Sequence, residues 1–190
     1  LYLGSNRLLS INIQATKLER LWIPYNKLSH LDVNRHLKLL YAPYNQLQSI
    51  NINGNAELLE IKLRQNLIAD ISNFSSLIKL EVLDISYNPL NSLNISSFAR
   101  MPELAKLNLE FTNVSAESLT YGTFSHNPNL TQLDLSYNKL GLIDFSVFPT
   151  LTQLTHLKID GNNLTEVSYE NFKINFPRLL LVSITDNDWN

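Results

Sequence analysis

The sequence predicts an α/β fold, namely a right-handed solenoid with a curved parallel β-sheet on its concave side and a convex side that is mostly irregular or short-helical. Three observations predict this architecture. An eleven-residue segment, which reads LTQLDLSYNKL at residues 130–140, recurs along the whole chain. Its central leucines alternate with polar residues, as in a β-strand with one buried face. So short a segment cannot bury its apolar face alone and must stack on further copies of itself.

The repeats follow one pattern of eleven positions, with leucine-like residues at positions 1, 4, 6 and 11 and asparagine at position 9. Aligning position 9 gives nine copies, spaced 19 to 26 residues apart, with the longer spacings in the second half. Asparagine occupies position 9 in eight of them: Asn6, Asn26, Asn45, Asn66, Asn88, Asn138, Asn162 and Asn187. We therefore expect a single domain over residues 1–190. Because terminal repeats need polar caps and none is recognisable here, we expect a fragment of a longer chain.

The asparagines of position 9 have a structural explanation. After the strand, the backbone turns inward and leaves N–H and C=O groups in the interior, where a side-chain amide can both accept and donate. An unpaired buried group costs ~1–3 kcal/mol, so stacked asparagines should form a ladder of hydrogen bonds. Thr112 replaces asparagine in the sixth copy and offers only a hydroxyl. We expect a weaker rung there, and the least regular segment at residues 110–119.

The segments that return from one strand to the next change character along the chain. The early ones carry pairs of apolar residues, namely Ile11 and Ile13, Leu31 and Val33, and Ile50 and Ile52. The later ones carry a phenylalanine, namely Phe98, Phe124, Phe148 and Phe172. We therefore expect a thin, extended outer arc in the early repeats and a thicker one, with short helical turns, from about Phe74 onward.

Several classes of function are disfavoured by composition and spacing. The formal net charge is −2 and no run of Lys or Arg stands out, which argues against a nucleic-acid partner. The longest apolar run, residues 179–182, is far too short for membrane insertion. The four histidines show no metal-ligand spacing. Asp84 and Asp134 belong to the repeat consensus and lie two strands apart, ~10 Å by strand spacing. We predict no enzyme activity, cofactor or metal.

The candidate functional residues lie on the concave face. With positions 4 and 6 buried, positions 3, 5 and 7 point outward from the sheet. Position 5 begins with three large aromatic residues, and position 8 adds two tyrosines in the motifs LWIPYN and LYAPYN. Exposed aromatic residues and arginine are enriched in interaction hot spots, so we predict that a protein partner binds here. The predicted contact residues are Tyr2, Arg20, Trp22, Tyr25, Tyr41, Tyr44, Lys62, Arg64 and Asp84.

Other interpretations of these residues stay open. The aromatic side chains could stack along the sheet and only stabilise it, or they could be covered by other parts of the same protein. The polar residues that continue position 5 could extend the docking surface. Alternatively they form cross-strand pairs, Lys62 with Asp84 and Asp134 with Lys158.

Five Asn-x-Ser/Thr sequons favour a secreted, extracellular glycoprotein. They start at Asn73, Asn94, Asn113, Asn129 and Asn163. Each lies at position 10 or on the outer arc, where a glycan fits, and none lies in residues 1–72, so the aromatic region is left open for contact. The chain contains no cysteine. We expect the cysteines of a secreted protein of this kind in cap modules outside these residues.

The repeats resemble, over the whole chain, those of extracellular leucine-rich repeat proteins, including Toll-type receptor ectodomains and insect immune proteins. The short repeats of the first half and the ending ITDNDWN resemble the mosquito leucine-rich repeat immune family, its APL-like members in particular. That resemblance implies a secreted innate-immune recognition or scaffold protein of the haemolymph. It also implies a cysteine cap and a coiled coil after the Asn-Asp-Trp stretch, and disulfide-linked dimers. The implied partner is a complement-like thioester protein or a second leucine-rich repeat chain.

Two alternative functions remain beside this one. The chain could be part of the ectodomain of a Toll-like or adhesion-type membrane receptor, or a structural solenoid that binds through its convex side. Heptads and cysteines in the full-length protein would favour the circulating form, and ~20 consecutive apolar residues would favour the receptor.

Overall fold

The computed structural model describes residues 1–14, 17–52, 54–91, 93, 97–141, 143–167 and 169–189. Within these ranges, strands of three residues form two parallel sheets. The larger sheet contains, in spatial order, β1 (Arg20–Trp22), β3 (Leu39–Tyr41), β5 (Glu60–Lys62), β6 (Val82–Asp84), β7 (Lys106–Asn108), β8 (Gln132–Asp134), β9 (His156–Lys158) and β10 (Leu181–Ser183). The smaller sheet pairs β2 (His30–Asp32) with β4 (Ser49–Asn51). Tyr2 extends the larger sheet by a parallel bridge to Trp22.

The strands of the larger sheet pair in the register that the eleven-position alignment predicts. Trp22 pairs with Tyr41, and Tyr41 pairs with Lys62. The same register continues to Ser183 in β10, so all position-5 residues form one row. In this sheet the central residue of each strand is position 4, and it is buried in every strand except β10, where Val182 is exposed. The predicted solenoid of stacked parallel strands is confirmed.

The asparagine ladder is confirmed inside the solenoid. In a typical rung, Asn66 Nδ2 donates to the Ala42 carbonyl of the preceding repeat at 3.0 Å, and Asn66 Oδ1 accepts from the Leu47 N–H at 3.0 Å. The same two inter-repeat bonds recur at Asn26, Asn45, Asn88, Asn138, Asn162 and Asn187. Asn6 differs, because it is exposed and, among the described residues, its amide donates only within its own turn, to Leu3 and Gly4.

The sixth rung is weaker, as its threonine predicts. Thr112 is fully buried, and its hydroxyl donates to the Leu109 carbonyl at 2.6 Å. In most repeats, the N–H of position 11 donates to the side-chain oxygen of the position-9 asparagine in the next repeat. Leu90 holds position 11 in the repeat before Thr112. Its N–H bonds instead to the Asn88 carbonyl at 2.9 Å, so the described residues show no inter-repeat bond from Leu90 to Thr112. A hydroxyl cannot serve both neighbours as an amide does.

The outer side changes character near residue 72, as expected. The early repeats carry extended backbone, including the β2–β4 pair. The later repeats carry the 3₁₀ helices Ser72–Ser76, Ala116–Ser118 and Phe145–Val147 and the helix α1 (Tyr169–Asn175). The predicted phenylalanines stack between repeats, with ring centroids 5.9 Å apart for Phe98 and Phe124 and 5.8 Å apart for Phe124 and Phe148. In the last repeat, Phe176 continues this column edge-on to Phe148, whereas Phe172 is only partly buried.

Candidate protein-binding surface

The N-terminal end of position 5 forms an aromatic row of Tyr2, Trp22 and Tyr41. The ring centroids of Trp22 and Tyr41 lie 4.2 Å apart in a stacked arrangement, and those of Tyr2 and Trp22 lie 6.0 Å apart. The predicted stacking along the sheet is therefore present. It does not bury the row, since Tyr2 remains 77% exposed and Trp22 41% exposed. The outer surface of the row is available for contact with another molecule.

Position 8, which follows the end of each strand, has a backbone conformation that the sequence did not predict. All nine residues at this position have a left-handed φ between 52° and 59°: Ser5, Tyr25, Tyr44, Gln65, Tyr87, Phe111, Tyr137, Gly161 and Asp186. This conformation costs a non-glycine residue roughly 1–2 kcal/mol. A repeated hydrogen bond offsets the strain, because from Ser5 to Gly161 each position-8 N–H donates to the position-7 carbonyl of the next repeat.

The shared conformation places the position-8 rings in register, and they form an aromatic ledge of Tyr25, Tyr44, Tyr87, Phe111 and Tyr137. Centroids lie 4.5 Å apart for Tyr25 and Tyr44, and 4.6 Å apart for both Tyr87–Phe111 and Phe111–Tyr137. These spacings are close to the ~4.8 Å between neighbouring strands. Tyr25 and Tyr44 were predicted as contact residues. The other three were missed, although each stands immediately before position 9, as Tyr25 and Tyr44 do.

Arg64 joins the two halves of the ledge. Its guanidinium carbon lies 4.0 Å from the Tyr87 ring centroid, and its Nη1 lies 2.8 Å from Glu110 Oε2. The same nitrogen donates to Ser86 Oγ at 3.2 Å. Burial lowers the pKa of Arg64, but hydrogen bonds to Glu110 and Tyr44 outweigh it and raise the pKa above its ordinary value. Arg64, one of the predicted contact residues, is thus already engaged within the protein.

The far end of the ledge is shaped by Gly161. A Cβ atom added to Gly161 would lie 2.4 Å from Tyr137 Cδ1, so the tyrosine ring occupies the space that a side chain would fill. Across this glycine, the Tyr137 hydroxyl donates to Asp186 Oδ2 at 2.8 Å. That hydrogen bond, together with the Asp186 charge, raises the pKa of Tyr137.

The charged contact residues differ in how they are paired. Within the described residues, no ion pair engages the guanidinium of Arg20, which lies exposed on β1 next to the aromatic row. Lys62 Nζ lies 2.7 Å from Glu60 on its own strand, and Asp84 Oδ1 accepts from the N–H and hydroxyl of Ser86. The predicted pair of Lys62 with Asp84 is therefore wrong, because each has a nearer partner.

The second predicted pair is confirmed, with 3.7 Å between Lys158 Nζ and Asp134 Oδ2. Together, the position-3 and position-5 residues of β5 to β9 line a shallow polar groove along the middle of the sheet. It continues the row that begins with Tyr2, Trp22 and Tyr41. The concave face therefore combines an aromatic N-terminal end with a centre that carries charged side chains of both signs.

The described sequons lie on the surface. Asn73, Asn113, Asn129 and Asn163 are exposed. Asn94 lies outside the described residues. In the part of the chain that the structure describes, no three His, Asp or Glu side chains are placed to hold a metal ion. A search of the same residues finds no helix with the length and apolar character needed to cross a membrane.

Comparisons with known proteins agree on the repeat type. Residues 112–164 match the family model described as "Leucine rich repeat", and residues 79–101 match a second model of that description. A leucine-rich repeat protein of Leptospira interrogans superposes with a TM-score of 0.75 at 22% identity, over 97% of this chain and 50% of that one. A chain in the octameric complex of Latrophilin 3, Unc5D and FLRT2 (LRR) superposes with a TM-score of 0.58 at 19% identity, over 90% and 68%. No curated protein matches the sequence.

Proposed function

Starting from the leucine-rich repeat fold that the repeats and the solved structures share, we propose that this leucine-rich repeat protein binds another protein through the N-terminal end of its concave face. The observation that carries the proposal is the aromatic row, in which Trp22 stacks on Tyr41 and yet stays exposed. Large exposed aromatic side chains next to an arginine are the residues most enriched in binding hot spots.

The row is suited to binding because it is already ordered. Trp22 and Tyr41 sit on adjacent strands in fixed register, and their stacking holds both rings in place. Less side-chain freedom is then lost when a partner binds. Arg20 adds a guanidinium that has no ion-pair partner among the described residues and is free to meet a carboxylate of the partner.

The biological setting that we propose is a secreted innate-immune recognition or scaffold protein. The exposed sequons Asn73, Asn113, Asn129 and Asn163 support an extracellular location, and none of them falls within residues 1–72, which contain the aromatic row. A complement-like thioester protein or a second leucine-rich repeat chain is the partner that the resemblance to insect immune proteins favours. The ectodomain of a membrane receptor is the second candidate, and it would use the same concave face.

The test is a pull-down from the extracellular fluid of the source, with the full-length protein and its Trp22→Ser/Tyr41→Ser variant compared by mass spectrometry. We expect the variant to lose one specific protein partner. A matched control is Tyr121→Ser, which removes an aromatic ring that is 65% exposed outside the strands of the sheet. If the double variant keeps every partner and the Tyr121→Ser control loses one, the binding site lies on the convex side instead.

A further inference from the structure

The ledge carries a sequon beside Phe111, one of its exposed rings. Asn113 lies two residues after Phe111, and both line one groove together with Tyr87, Tyr137 and Lys139. Phe111 is 43% exposed and Tyr137 is 37% exposed, although neighbouring rings cover their faces. What remains open is a continuous strip of aromatic ring edges beside the Asn113 amide.

The Asn113 amide differs from those of the other described sequons. Asn73 Nδ2 donates to the Ile50 carbonyl, Asn129 Nδ2 donates to the Pro102 carbonyl at 3.1 Å, and Asn163 Nδ2 donates to Asp188 Oδ2 at 3.0 Å. Among the described residues, no hydrogen bond engages the Asn113 side chain, and its backbone holds a left-handed φ of 66°. A substituent on this nitrogen displaces no existing contact.

We propose that this groove of the aromatic ledge is the seat of the chain's own N-linked glycan, attached to Asn113. The inference rests on the extracellular location in the proposed function. In the attachment step, the Asn113 amide nitrogen bonds to the anomeric carbon of a lipid-diphosphate-linked oligosaccharide. The bond from that carbon to the diphosphate breaks, and the amide releases one proton. The product keeps one N–H on the nitrogen.

The chemistry of the groove fits the first sugar of such a glycan. An N-acetylglucosamine presents apolar C–H groups that pack against aromatic rings, and hydroxyl and acetamide groups that accept hydrogen bonds from a cation such as Lys139. The sugar would contact the edges of Phe111 and Tyr137, since their faces are already stacked. It would also lie beside the weak Thr112 rung, where added contacts stabilise the least supported part of the ladder.

The experiment compares the chain secreted from a glycosylating eukaryotic host with the same chain made in bacteria, which carries no sugar. Glycopeptide mass spectrometry measures the occupancy of each sequon. Thermal unfolding is measured for Asn113→Gln and for the control Asn163→Gln. We expect Asn113 to be occupied. Asn113→Gln should lower the Tm by roughly 2–4 °C more in the secreted protein than in the bacterial one, where only the loss of asparagine from a left-handed backbone position is felt. Enzymatic trimming of the glycan to its first sugar should leave the Tm unchanged.

A second substitution tests the contact itself. In a Phe111→Leu background, the sugar has no ring edge to pack against, so the Tm difference between glycosylated Asn113 and Gln should fall to less than half. If Phe111→Leu leaves this Tm difference undiminished, the inference is overturned. It is also overturned if Asn113→Gln lowers the Tm equally in the bacterial protein. If Asn113 is unglycosylated while Asn163 is glycosylated, the proposed position of the glycan is wrong, but the extracellular location is not affected. Absence of sugar from every sequon of the natural protein would overturn the extracellular location as well.

Discussion

Replacing Asn138 by alanine tests the register of the whole solenoid. Asn138 Oδ1 accepts from two buried backbone N–H groups, those of Thr112 at 3.1 Å and Val114 at 2.9 Å. Asn138 Nδ2 donates to the Leu109 carbonyl at 2.7 Å and to the Leu135 carbonyl at 3.0 Å. Alanine removes all of these bonds and leaves the two N–H groups without an acceptor.

The magnitude follows from the unpaired donors. Each buried unsatisfied group costs roughly 1–3 kcal/mol, and partial relaxation of the turn lowers the sum, so we expect a loss of about 2–4 kcal/mol in the free energy of unfolding. For a chain of this size that corresponds to a fall in Tm of roughly 4–16 °C, at about 2–4 °C for each kcal/mol.

The matched control is Asn129→Ala. Asn129 is exposed, and its amide donates to the Pro102 carbonyl at 3.1 Å and to Glu103 Oε2 at 3.2 Å. Surface substitutions of this kind stay within about 0.5 kcal/mol. Urea denaturation of both variants, with the m-values compared, gives the two free energies. Equal losses would refute the assignment of position 9 as the ladder position and, with it, the alignment of the repeats.

Two further predictions concern the far end of the ledge. Gly161→Ala should destabilise the fold by more than Gly54→Ala, because both positions have a left-handed φ but only the Cβ at Gly161 meets the Tyr137 ring, whereas nothing lies within 4 Å of the Cβ at Gly54. Denaturant unfolding measures the difference, and equal losses would show that the ring moves freely. Asp186→Asn should lower the pKa of Tyr137 towards its ordinary value, since the hydrogen bond and charge of Asp186 raise it. The stability linked to this raised pKa is present below the pKa of Tyr137 in the unfolded chain and is lost as pH rises through its pKa in the folded protein. An ultraviolet absorbance titration measures the tyrosine pKa, and a variant that titrates like the parent would contradict the assignment.

The sequence contained enough to predict the register and the ladder, because both depend on residues that recur at fixed positions. Leu107 and Leu133 hold the same position in neighbouring copies, where the side chain must be buried. Thr112 and Asn138 hold another shared position, where the side chain must bond to buried backbone groups. The change in the outer arc near Phe74 was also predictable, because the early repeats are shorter than the later ones.

The binding surface was predictable only in part. Trp22 and Tyr41 were identified because both stand at an exposed strand position in adjacent repeats. Tyr87, Phe111 and Tyr137 were missed, because the residue pattern does not reveal the left-handed backbone that aligns the position-8 side chains. The charged partners were harder still, since Lys62 had Glu60 on its own strand and Asp84 on the next as equally plausible neighbours.

By itself, the sequence determined the class of fold, the strand register and the buried amide ladder, because apolar periodicity and a single asparagine position leave one way to stack the repeats. The tertiary structure decided which side chains meet between repeats. Arg64 reaches Glu110 past Ser86, and Tyr137 reaches Asp186 across Gly161. Each contact joins two repeats that are separated by a third, and it passes over a small residue of that third repeat. Such contacts depend on the distance between strands and on the left-handed turn at position 8, and neither can be read from the sequence.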